Sequence, residues 1–295
     1  MVRRVLIIHN PTAGRRRRHF FLNVLAALEH LYCEVTLQAT SQRGDAEAFV
    51  HDMNANDFDI VVAAGGDGTI GEVVNGLLRR DDTIGILPLG LIPLGTANVL
   101  ALELGLPTRA KSLAQVLAAG TPRRCYPGLA NGRSFMMMAG VGFDAHVVNN
   151  VSLPLKNIIG KGAYVWATLR ELWRGDDTRY MIHVDDRTLS AASIVIGKGR
   201  LYGGRFVCTP DARLDNPSFQ ICLFDRSGVW ATLRYILGFM RGVVPHMKGV
   251  ILIDASNIRI EGPTGDPVQG DGDIFTHLPL DVRIADKSID FLARV

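Results

Sequence analysis

Short apolar runs alternate with helical patterns over the first 120 residues of the chain. Runs typical of buried strands cover residues 3–10, 33–40, 59–66 and 83–90, and residues 20–31, 44–55 and 69–78 repeat apolar side chains at helical spacing. This alternation predicts a parallel sheet with helices on both faces. The apolar run at residues 289–294 is interpreted as a strand that returns to the same sheet.

Beyond about residue 122 the pattern changes to short runs with a period of two and frequent turns. These runs cover residues 133–143, 179–186, 188–197, 205–212, 218–224, 257–262 and 278–285. They predict an antiparallel β-sandwich, interrupted by two amphipathic helices at residues 162–174 and 229–241. We therefore predict two domains, residues 1–122 joined by 286–295, and residues 123–285.

Composition and charge are those of a globular protein and argue against several other classes. Of the 295 residues, 47% are hydrophobic and 21% are charged, which is enough to bury two ordinary cores. A net charge of +3 is too weak to argue for a nucleic-acid partner. The four cysteines lack CxxC spacing, which favours buried thiols over a zinc site or disulfides.

The sequence predicts neither a secretion signal nor a membrane span. The first apolar run has only four residues before His9, which is too short for a signal peptide. The most hydrophobic later stretch, residues 228–247, is interrupted by Arg234 and Arg241. We therefore expect a cytoplasmic protein, soluble or peripheral at the membrane.

Three glycines surround an aspartate in the motif GGDGT at residues 65–69, between a predicted strand and a predicted helix. Glycine permits a positive φ or a close approach of the backbone to a ligand, at an entropic cost. The amides and the dipole at a helix start favour an anion, and the Asp67 carboxylate suits Mg²⁺. The motif is neither a Walker A loop nor the dinucleotide GxGxxG pattern. It therefore predicts a phosphate-binding turn.

Two further motifs accompany this turn: NPTAG at residues 10–14 and PLGTAN at residues 93–98. Ligands of parallel sheets bind outside the carboxyl ends of the strands, so NPTAG and GGDGT would form one pocket. Four arginines, residues 15–18, follow NPTAG, where cations oppose the helix dipole. They either bind a polyanion or form a solvated basic face.

With AGVGFDA at residues 139–145, YGGRFVCTPDARLD at 202–215 and GDGD at 270–273, these motifs extend over nearly the whole chain. In this order they resemble the diacylglycerol kinase catalytic-domain family, which includes bacterial soluble lipid kinases and the sphingosine and ceramide kinases. GGDGT alone also occurs in NAD kinases and phosphofructokinases. The resemblance implies a Rossmann-like parallel sheet with flanking helices, of the NAD kinase and diacylglycerol kinase type, and a C-terminal antiparallel β-sandwich.

The resemblance also implies that ATP binds between the two domains, with its triphosphate on the glycine loops. It assigns nucleotide or Mg²⁺ contacts to Asn10, Thr12, Gly14, Thr40, Gly65, Gly66, Asp67, Gly68, Thr69, Glu72, Gly95 and Thr96. Asp67 would act in catalysis through Mg²⁺ and the phosphates. The general base maps to Asp273 of GDGD, with Asp271 as the next candidate. If this segment were extended, both carboxylates would lie on one face.

Three departures from the family pattern stand out. PLG occurs twice, at residues 88–90 and 93–95, which we interpret as about five residues inserted at the strand end. Val99 follows Asn98 where many relatives have Asp. Asn216 replaces an aspartate of the family's structural Mg²⁺ site, whose other ligands would be main-chain oxygens of Arg213 and Ser218. A neutral amide is the poorer ligand for Mg²⁺.

The function predicted from these features is transfer of the γ-phosphoryl group of ATP to a lipid hydroxyl, with diacylglycerol as the default acceptor. Sphingoid bases, ceramide, monoacylglycerol and phosphatidylglycerol stay open, as does a homodimer. The alternatives are a kinase of NAD or another small molecule, and a non-catalytic nucleotide-binding regulator. The tryptophans of the two amphipathic helices, Trp166, Trp173 and Trp230, either pack in the core or, with nearby arginines, form a peripheral lipid-entry surface.

Overall fold

The structure is a computed structural model that describes residues 2–13, 17–80, 86–142, 145 and 178–293. The chain divides into two compact units, Met1–Pro127 with Asp286–Val295, and Gly128–Ala285. Several sequence predictions lie outside the described residues. They concern Gly14, Arg15, Arg16 and the helical pattern at residues 162–174 with Trp166 and Trp173.

The first unit contains one six-stranded sheet in the order β2-β1-β3-β4-β20-β5. Its strands are β1 (Arg3–His9), β2 (Cys33–Ala39), β3 (Ile60–Gly65), β4 (Leu89–Pro93), β5 (Thr121–Cys125) and β20 (Ile289–Ala293). Strands β1 to β4 and β20 are parallel, whereas β5 pairs antiparallel with β20. The all-apolar sequence of β3 fits a strand that is buried on both faces.

Helices of the first unit connect these strands. They are α1 (Arg18–His30), α2 (Asp45–Asp52), α3 (Asp67–Arg79), α4 (Val99–Glu103) and α5 (Ala110–Ala119), with a 3-10 turn at Ala55–Asp57. Apolar residues of α1 and α5, such as Val24, Leu28 and Leu113, pack in one core with Val5 and Ile92 of the sheet. This sheet with flanking helices confirms the fold class predicted for the first half of the chain.

The position of β4 differs from the sequence prediction. The predicted strand covers residues 83–90, but the observed one is Leu89–Pro93, in register with β3 from Val61↔Leu89 to Gly65↔Pro93. The second PLG therefore begins at Pro93, the last residue of the strand. The five residues that we interpreted as inserted at the strand end do not form a loop beyond it, because residues 89–93 are the strand itself. Both copies of PLG lie next to apolar residues, so the pattern alone does not distinguish them.

The second unit contains two six-stranded antiparallel sheets, in the orders β10-β9-β16-β19-β6-β7 and β15-β14-β11-β8-β17-β18. The strands of the first are β6 (Gly128–Ala130), β7 (Arg133–Phe135), β9 (Tyr180–Val184), β10 (Arg187–Ala191), β16 (Asn257–Glu261) and β19 (Leu280–Ile284). Those of the second are β8 (Met138–Gly142), β11 (Ser193–Gly197), β14 (Phe219–Phe224), β15 (Val250–Ala255), β17 (Pro267–Gly270) and β18 (Asp273–His277).

The two sheets share one core, as the predicted β-sandwich requires. Ile182 and Val282 of one sheet cluster with Val141, Ile194 and Ile221 of the other. Part of the predicted strand at residues 205–212 is instead a loop, because only the two-residue strands β12 (Leu201–Tyr202) and β13 (Phe206–Val207) form there. A short 3-10 turn covers Val244–His246.

Helix α6 (Val229–Arg241) has the bounds that its sequence pattern predicts. Its inner face packs through Tyr235 and Phe239 against Phe224, with ring centroids 4.9 and 6.3 Å apart. Trp230 lies on the outer face and is 84% exposed, so the core-packing interpretation is wrong for this residue. Among the helices that the structure describes, α6 included, none is long and apolar enough to cross a membrane.

Candidate functional site

Three loops of the first unit meet at one edge of its sheet, because β1, β3 and β4 run parallel and end there. The Asn10 backbone N–H, just beyond β1, donates to Ala64 O of β3 at 3.0 Å. Beyond β4, the N–H groups of Leu94 and Gly95 both donate to Gly65 O, at 2.8 and 3.2 Å. Asn10, Gly65, Gly66, Asp67 and Gly95 therefore form one group, which we call the glycine edge.

Two glycines of this edge, Gly65 and Gly95, are required by close packing. A Cβ on Gly65 would lie 2.4 Å from Oγ1 of Thr69, and one on Gly95 would lie 2.6 Å from the Cα of Gly66. Neither distance is compatible with a side chain. The φ of Gly66 is −94°, so the positive φ considered from the sequence is not used here. The backbones of Gly66 and Gly95 thus approach each other with no side chain between them.

The start of α3 lies on the glycine edge. Gly66 is its N-cap, and within the described part of the chain no side chain caps this end. The first N–H groups of a helix lack intrahelical acceptors and carry the positive end of the dipole. Asp67 is the first residue of α3 and is half-buried, whereas Gly68 is exposed. The arrangement offers backbone donors to an anion, with a carboxylate beside them.

Asn10 connects two of the loops. Its Oδ1 accepts hydrogen bonds from the Thr12 N–H and hydroxyl, at 3.0 and 2.8 Å, and from the Ala13 N–H at 3.2 Å. Its Nδ2 donates to Oγ1 of Thr69 at 3.3 Å. One amide therefore fixes the loop after β1 and joins it to the first turn of α3. Thr12 itself is exposed at the surface of this loop.

Beyond Gly95 the PLGTAN loop combines exposed and buried polar groups. Thr96 is exposed, and Asn98 adopts a left-handed conformation at φ 50° as the N-cap of α4. Asn98 Nδ2 donates to Gly95 O at 2.8 Å. Its Oδ1 is buried and accepts no hydrogen bond from any residue that the structure describes.

Two of the predicted contact residues also hold the sheet edge together. Glu72 Oε2 accepts from the Ala46 N–H at 3.3 Å and so connects α3 to the first turn of α2. The Thr40 N–H donates to His9 O at 2.8 Å. Burial lowers the pKa of the His9 imidazole, because it disfavours the charged form. Glu72 and Thr40 both lie near the glycine edge, and a ligand contact by either of them stays a prediction.

One arginine of the basic run reaches the same edge. Arg17 Nη1 donates to Pro93 O, the last carbonyl of β4, at 2.8 Å. Arg18 is exposed and begins α1. A guanidinium at this position adds positive charge where the glycine edge offers N–H groups. This favours the polyanion interpretation for Arg17.

In the second unit, GDGD forms a tight turn between β17 and β18. Gly270 pairs with Asp273, and Asp271 and Gly272 between them have φ values of 51° and 91°. Left-handed conformations at both central positions are typical of a two-residue hairpin turn, for which Asp-Gly is a preferred sequence. The premise of an extended segment with both carboxylates on one face is therefore wrong.

Asp271 is bound to the backbone of its own unit. Its carboxylate accepts from the N–H groups of Met136, Met137 and Met138 at 2.7, 2.8 and 3.0 Å. Burial raises the pKa of this carboxyl, while the three N–H bonds oppose that shift because they favour the charged form. Through these three hydrogen bonds the Asp271 side chain orders the GDGD turn. Asp273 is half-buried at the first position of β18, and its role as base stays a prediction.

The loop that would hold the family's structural Mg²⁺, residues 213–218, is contacted by a buried lysine that the sequence pattern did not indicate. Lys198 follows β11 and is fully buried, and its Nζ donates to Arg213 O, Leu214 O and Asn216 O at 2.6, 3.2 and 2.7 Å. Across the part of the chain that the structure describes, no cluster of three His, Cys, Asp or Glu side chains could hold a metal ion. The only sequence signal for Lys198 is a lysine between two glycines at a strand end.

Comparison with known proteins places both units in one family. Residues 4–129 match the family model "Diacylglycerol kinase catalytic domain", and residues 137–293 match "YegS C-terminal NAD kinase beta sandwich-like domain". A diacylglycerol kinase of Bacillus subtilis (strain 168) is 29% identical over 283 residues, covering 94% of this chain and 92% of that protein. One from Staphylococcus haemolyticus (strain JCSC1435) is 30% identical over 278 residues, covering 92% and 83%.

A solved structure has the same fold. The crystal structure of a diacylglycerol kinase from Bacillus anthracis str. Sterne superposes with a TM-score of 0.80 at 23% identity, covering 99% of this chain and 97% of that one. The matched family models cover most of both units, and the matches to the two relatives cover 92% and 83% of their lengths. This chain therefore belongs to the diacylglycerol kinase catalytic-domain family of enzymes.

Proposed function

We propose that this chain is a lipid kinase that transfers the γ-phosphoryl group of ATP, bound with Mg²⁺, to a lipid hydroxyl, with diacylglycerol as the acceptor. The observation that carries the proposal is the backbone contact of Gly66 and Gly95 at the start of α3. Family membership and the names of the relatives support the same class of reaction.

The glycine edge suits a chain of phosphate groups. Phosphate oxygens bind to backbone N–H groups at a helix start, where the dipole also favours negative charge. The absence of a side chain at Gly95 lets its loop pack directly against Gly66 at the start of α3. Arg17, bonded to Pro93 O at the same edge, adds a cation for a polyphosphate. These features together favour a nucleoside triphosphate over a neutral ligand.

Asp67 suits the role of a Mg²⁺ ligand. Its carboxylate lies in the first turn of α3, on the same edge as the proposed phosphate donors. Carboxylate oxygens together with phosphate oxygens are the usual ligands of Mg²⁺ in kinases. Bound Mg²⁺ supplies charge neutralisation to the phosphates during transfer. The residues of this chain hold and orient the triphosphate so that its terminal group can be attacked in line.

Asp273 is proposed to act on the acceptor. Phosphoryl transfer needs a residue that orients the attacking hydroxyl and accepts its proton. The carboxylate of Asp271 is bound to three backbone N–H groups, which leaves Asp273 as the candidate of the GDGD turn. Its short side chain requires a close approach of the hydroxyl or an intervening water.

Helix α6 is proposed to bring the enzyme to the membrane surface. Trp230, Leu233, Leu237 and Met240 follow one another at helical spacing and are exposed, with Trp230 at 84% and Met240 at 69%. Arg241, exposed at the end of the helix, adds positive charge beside this apolar stripe. A helix of this composition binds in the plane of an anionic lipid surface. This supports peripheral association with the membrane that contains the lipid substrate.

A transfer assay tests the proposed reaction. The protein is incubated with ATP labelled at its γ-phosphate, Mg²⁺ and mixed micelles of single lipids, and the lipids are then extracted. We expect label in the organic phase with diacylglycerol, and loss of that label in Asp67→Ala. The matched control is Asp52→Ala, because Asp52 is exposed in the same unit, with 77% of its side chain accessible.

The alternatives give different results in the same assay. Label transferred only to a water-soluble acceptor would support the small-molecule kinase instead. ATP binding without any transfer would support the regulator. Either result contradicts the proposed function.

A vesicle assay tests the membrane proposal separately. Binding to anionic vesicles should fall steeply with added salt, because screening shortens the range of the arginine charges. The double variant Trp230→Ala/Leu237→Ala should bind more weakly, whereas Tyr32→Ala/Leu22→Ala should not. The control pair is matched in exposure, at 83% and 48%, against 84% and 48% for Trp230 and Leu237. Equal binding to neutral vesicles would contradict the proposal.

A further inference from the structure

Lys198 lies in the interior of the second unit, with no exposed surface. Its Nζ is within hydrogen-bond distance of three main-chain carbonyl oxygens of one loop, those of Arg213, Leu214 and Asn216. A protonated lysine has three N–H donors and no acceptor. Three carbonyl partners at 2.6, 3.2 and 2.7 Å therefore match an ammonium ion. The side chain acts as a cation held by backbone oxygens.

The same loop supplies the cation site implied by the family resemblance. Arg213 O would be a metal ligand there, and it is the oxygen that lies 2.6 Å from Lys198 Nζ. A divalent ion bound to Arg213 O would lie next to a buried positive charge with little water to screen it. The side chain of Asn216 is neutral and offers no compensating charge. The residues present at this site do not fit a divalent metal ion.

We propose that the ammonium group of Lys198 takes the place of the structural cation in this loop. An ammonium ion and a hard metal ion seek the same partners, which are oxygen atoms with lone pairs directed at one point. A lysine needs no free metal and resists chelators, because it is part of the chain. The neutral Asn216 in place of an acidic ligand fits this exchange. The singly charged ammonium of Lys198 needs less negative charge around it than a divalent metal ion does.

The backbone at Lys198 connects this loop to the GDGD turn. The backbone N–H groups of Lys198 and Gly199 both donate to Met137 O, at 2.8 and 3.1 Å. The N–H of Met137 in turn donates to the Asp271 carboxylate at 2.8 Å. The loop, Lys198 and the turn that carries Asp273 are thus joined within the second unit by consecutive hydrogen bonds.

Thermal unfolding of the nucleotide-free protein tests the proposal. The wild-type Tm should be the same in EDTA, Mg²⁺ and Ca²⁺, because no divalent ion binds the loop. Lys198→Ala leaves buried carbonyl oxygens without their donor and should lower the Tm by roughly 5–10 °C. Adding Mg²⁺ or Ca²⁺ should restore part of that loss, since the carbonyl oxygens are then free to bind a cation.

A second lysine provides the matched control. Lys287 Nζ also donates to backbone carbonyls, those of Leu78 and Arg80 at 3.4 and 2.5 Å, in the first unit. Lys287→Ala should lower the Tm as well, but without gaining a response to divalent cations. A cation response in both alanine variants would mean that ions act non-specifically, and it would overturn the proposal.

The double variant Lys198→Asn/Asn216→Asp keeps the test decisive if Lys198→Ala does not fold. It removes the ammonium and restores a carboxylate, so its Tm should rise with Ca²⁺ or Mg²⁺ and fall in EDTA. A wild-type Tm that itself falls in EDTA and recovers with Mg²⁺ would show a metal in the loop, and the proposal would be wrong. Both readouts are independent of lipid phosphorylation, so a failure of the proposed function would not affect them.

Discussion

The tripeptide Gly-Asp-Gly occurs at residues 66–68 in the first unit and at residues 270–272 in the second. In the first unit it starts α3, and Asp67 lies in the opening turn of the helix with backbone N–H groups around it. In the second it forms a hairpin turn, and Asp271 accepts three backbone N–H groups. The same tripeptide therefore begins a helix at the proposed ligand site in one unit and forms a structural turn in the other.

The flanking sequence accounts for the difference. After Gly68 the apolar residues follow helical spacing, so the chain continues as α3 and its first N–H groups are left for a partner. On both sides of residues 270–272 the chain forms strands, and joining them in two residues requires left-handed conformations that Asp and Gly tolerate. The two aspartates therefore differ in their surroundings: Asp67 lies beside the first N–H groups of a helix, whereas Asp271 binds three backbone N–H groups of its own unit.

The largest expected effect concerns Asp273, the last residue of GDGD. Asp273→Asn removes a positioned base, which typically costs about 10²–10⁴-fold in kcat. The affinity for ATP should be nearly unchanged, because the glycine edge is intact, and Asp273→Glu should retain activity. Steady-state kinetics with diacylglycerol micelles, combined with a direct ATP-binding measurement, checks both parts.

The matched control for this substitution is Asp281→Asn. Asp281 is exposed on β19 and pairs with Arg259 at 3.1 Å, so its amide variant should keep wild-type kcat. If Asp273→Asn retained more than about a tenth of kcat while chemistry limits the rate, the base would lie elsewhere. The division of roles between Asp271 and Asp273 would then be wrong.

A smaller effect is expected from Gly95→Ala on the glycine edge. The new Cβ would lie 2.6 Å from Gly66 Cα and 2.9 Å from Asn98 Oδ1, so the two loops must move apart. We expect the Kd for Mg-ATP to rise roughly tenfold, which corresponds to about 1.4 kcal/mol. Isothermal titration calorimetry checks this. An unchanged Kd would mean that the close approach of the loops does not shape the nucleotide site.

The smallest effect is the control for that variant, Gly71→Ala within α3. Nothing lies within 4 Å of a Cβ at this position, and its φ is not in the left-handed region. Alanine at such a helical site stabilises a protein by about 0.4–1 kcal/mol. Chemical denaturation should show this gain with no change in Kd. A loss of ATP affinity here would indicate that any added methyl group in α3 perturbs the site.

The sequence predicted the parts of this molecule that depend on local periodicity. The bounds of α6 agree with the predicted residues 229–241, and β3 and α3 flank GGDGT as expected. It misplaced β4, because two similar PLG segments follow one another and only strand pairing distinguishes them. For residues 270–273 it considered an extended segment that would place both carboxylates on one face, whereas Asp-Gly between strands is a hairpin signal.

Features that join distant segments of the chain could not be predicted from local periodicity. The approach of Gly66 and Gly95 depends on the register of β3 and β4, which the pattern of apolar residues does not fix. The contacts of Lys198 with carbonyl oxygens 15 to 18 residues away depend on the path of a loop. The sequence does not indicate which carbonyl oxygens Lys198 contacts, since backbone carbonyls are the same for every residue type.

The most direct test of the contrast between the two turns is a paired measurement on Asp67→Asn and Asp271→Asn. Each substitution removes a charge at nearly constant volume, and Mg-ATP affinity and the free energy of unfolding are measured for both. Asp67→Asn should weaken Mg-ATP binding at least about tenfold, with stability within roughly 0.5 kcal/mol of wild type. Asp271→Asn should keep the affinity and lose about 2–3 kcal/mol of stability, because its amide N–H₂ opposes backbone donors. Loss of stability in Asp67→Asn with normal Mg-ATP binding would contradict the account.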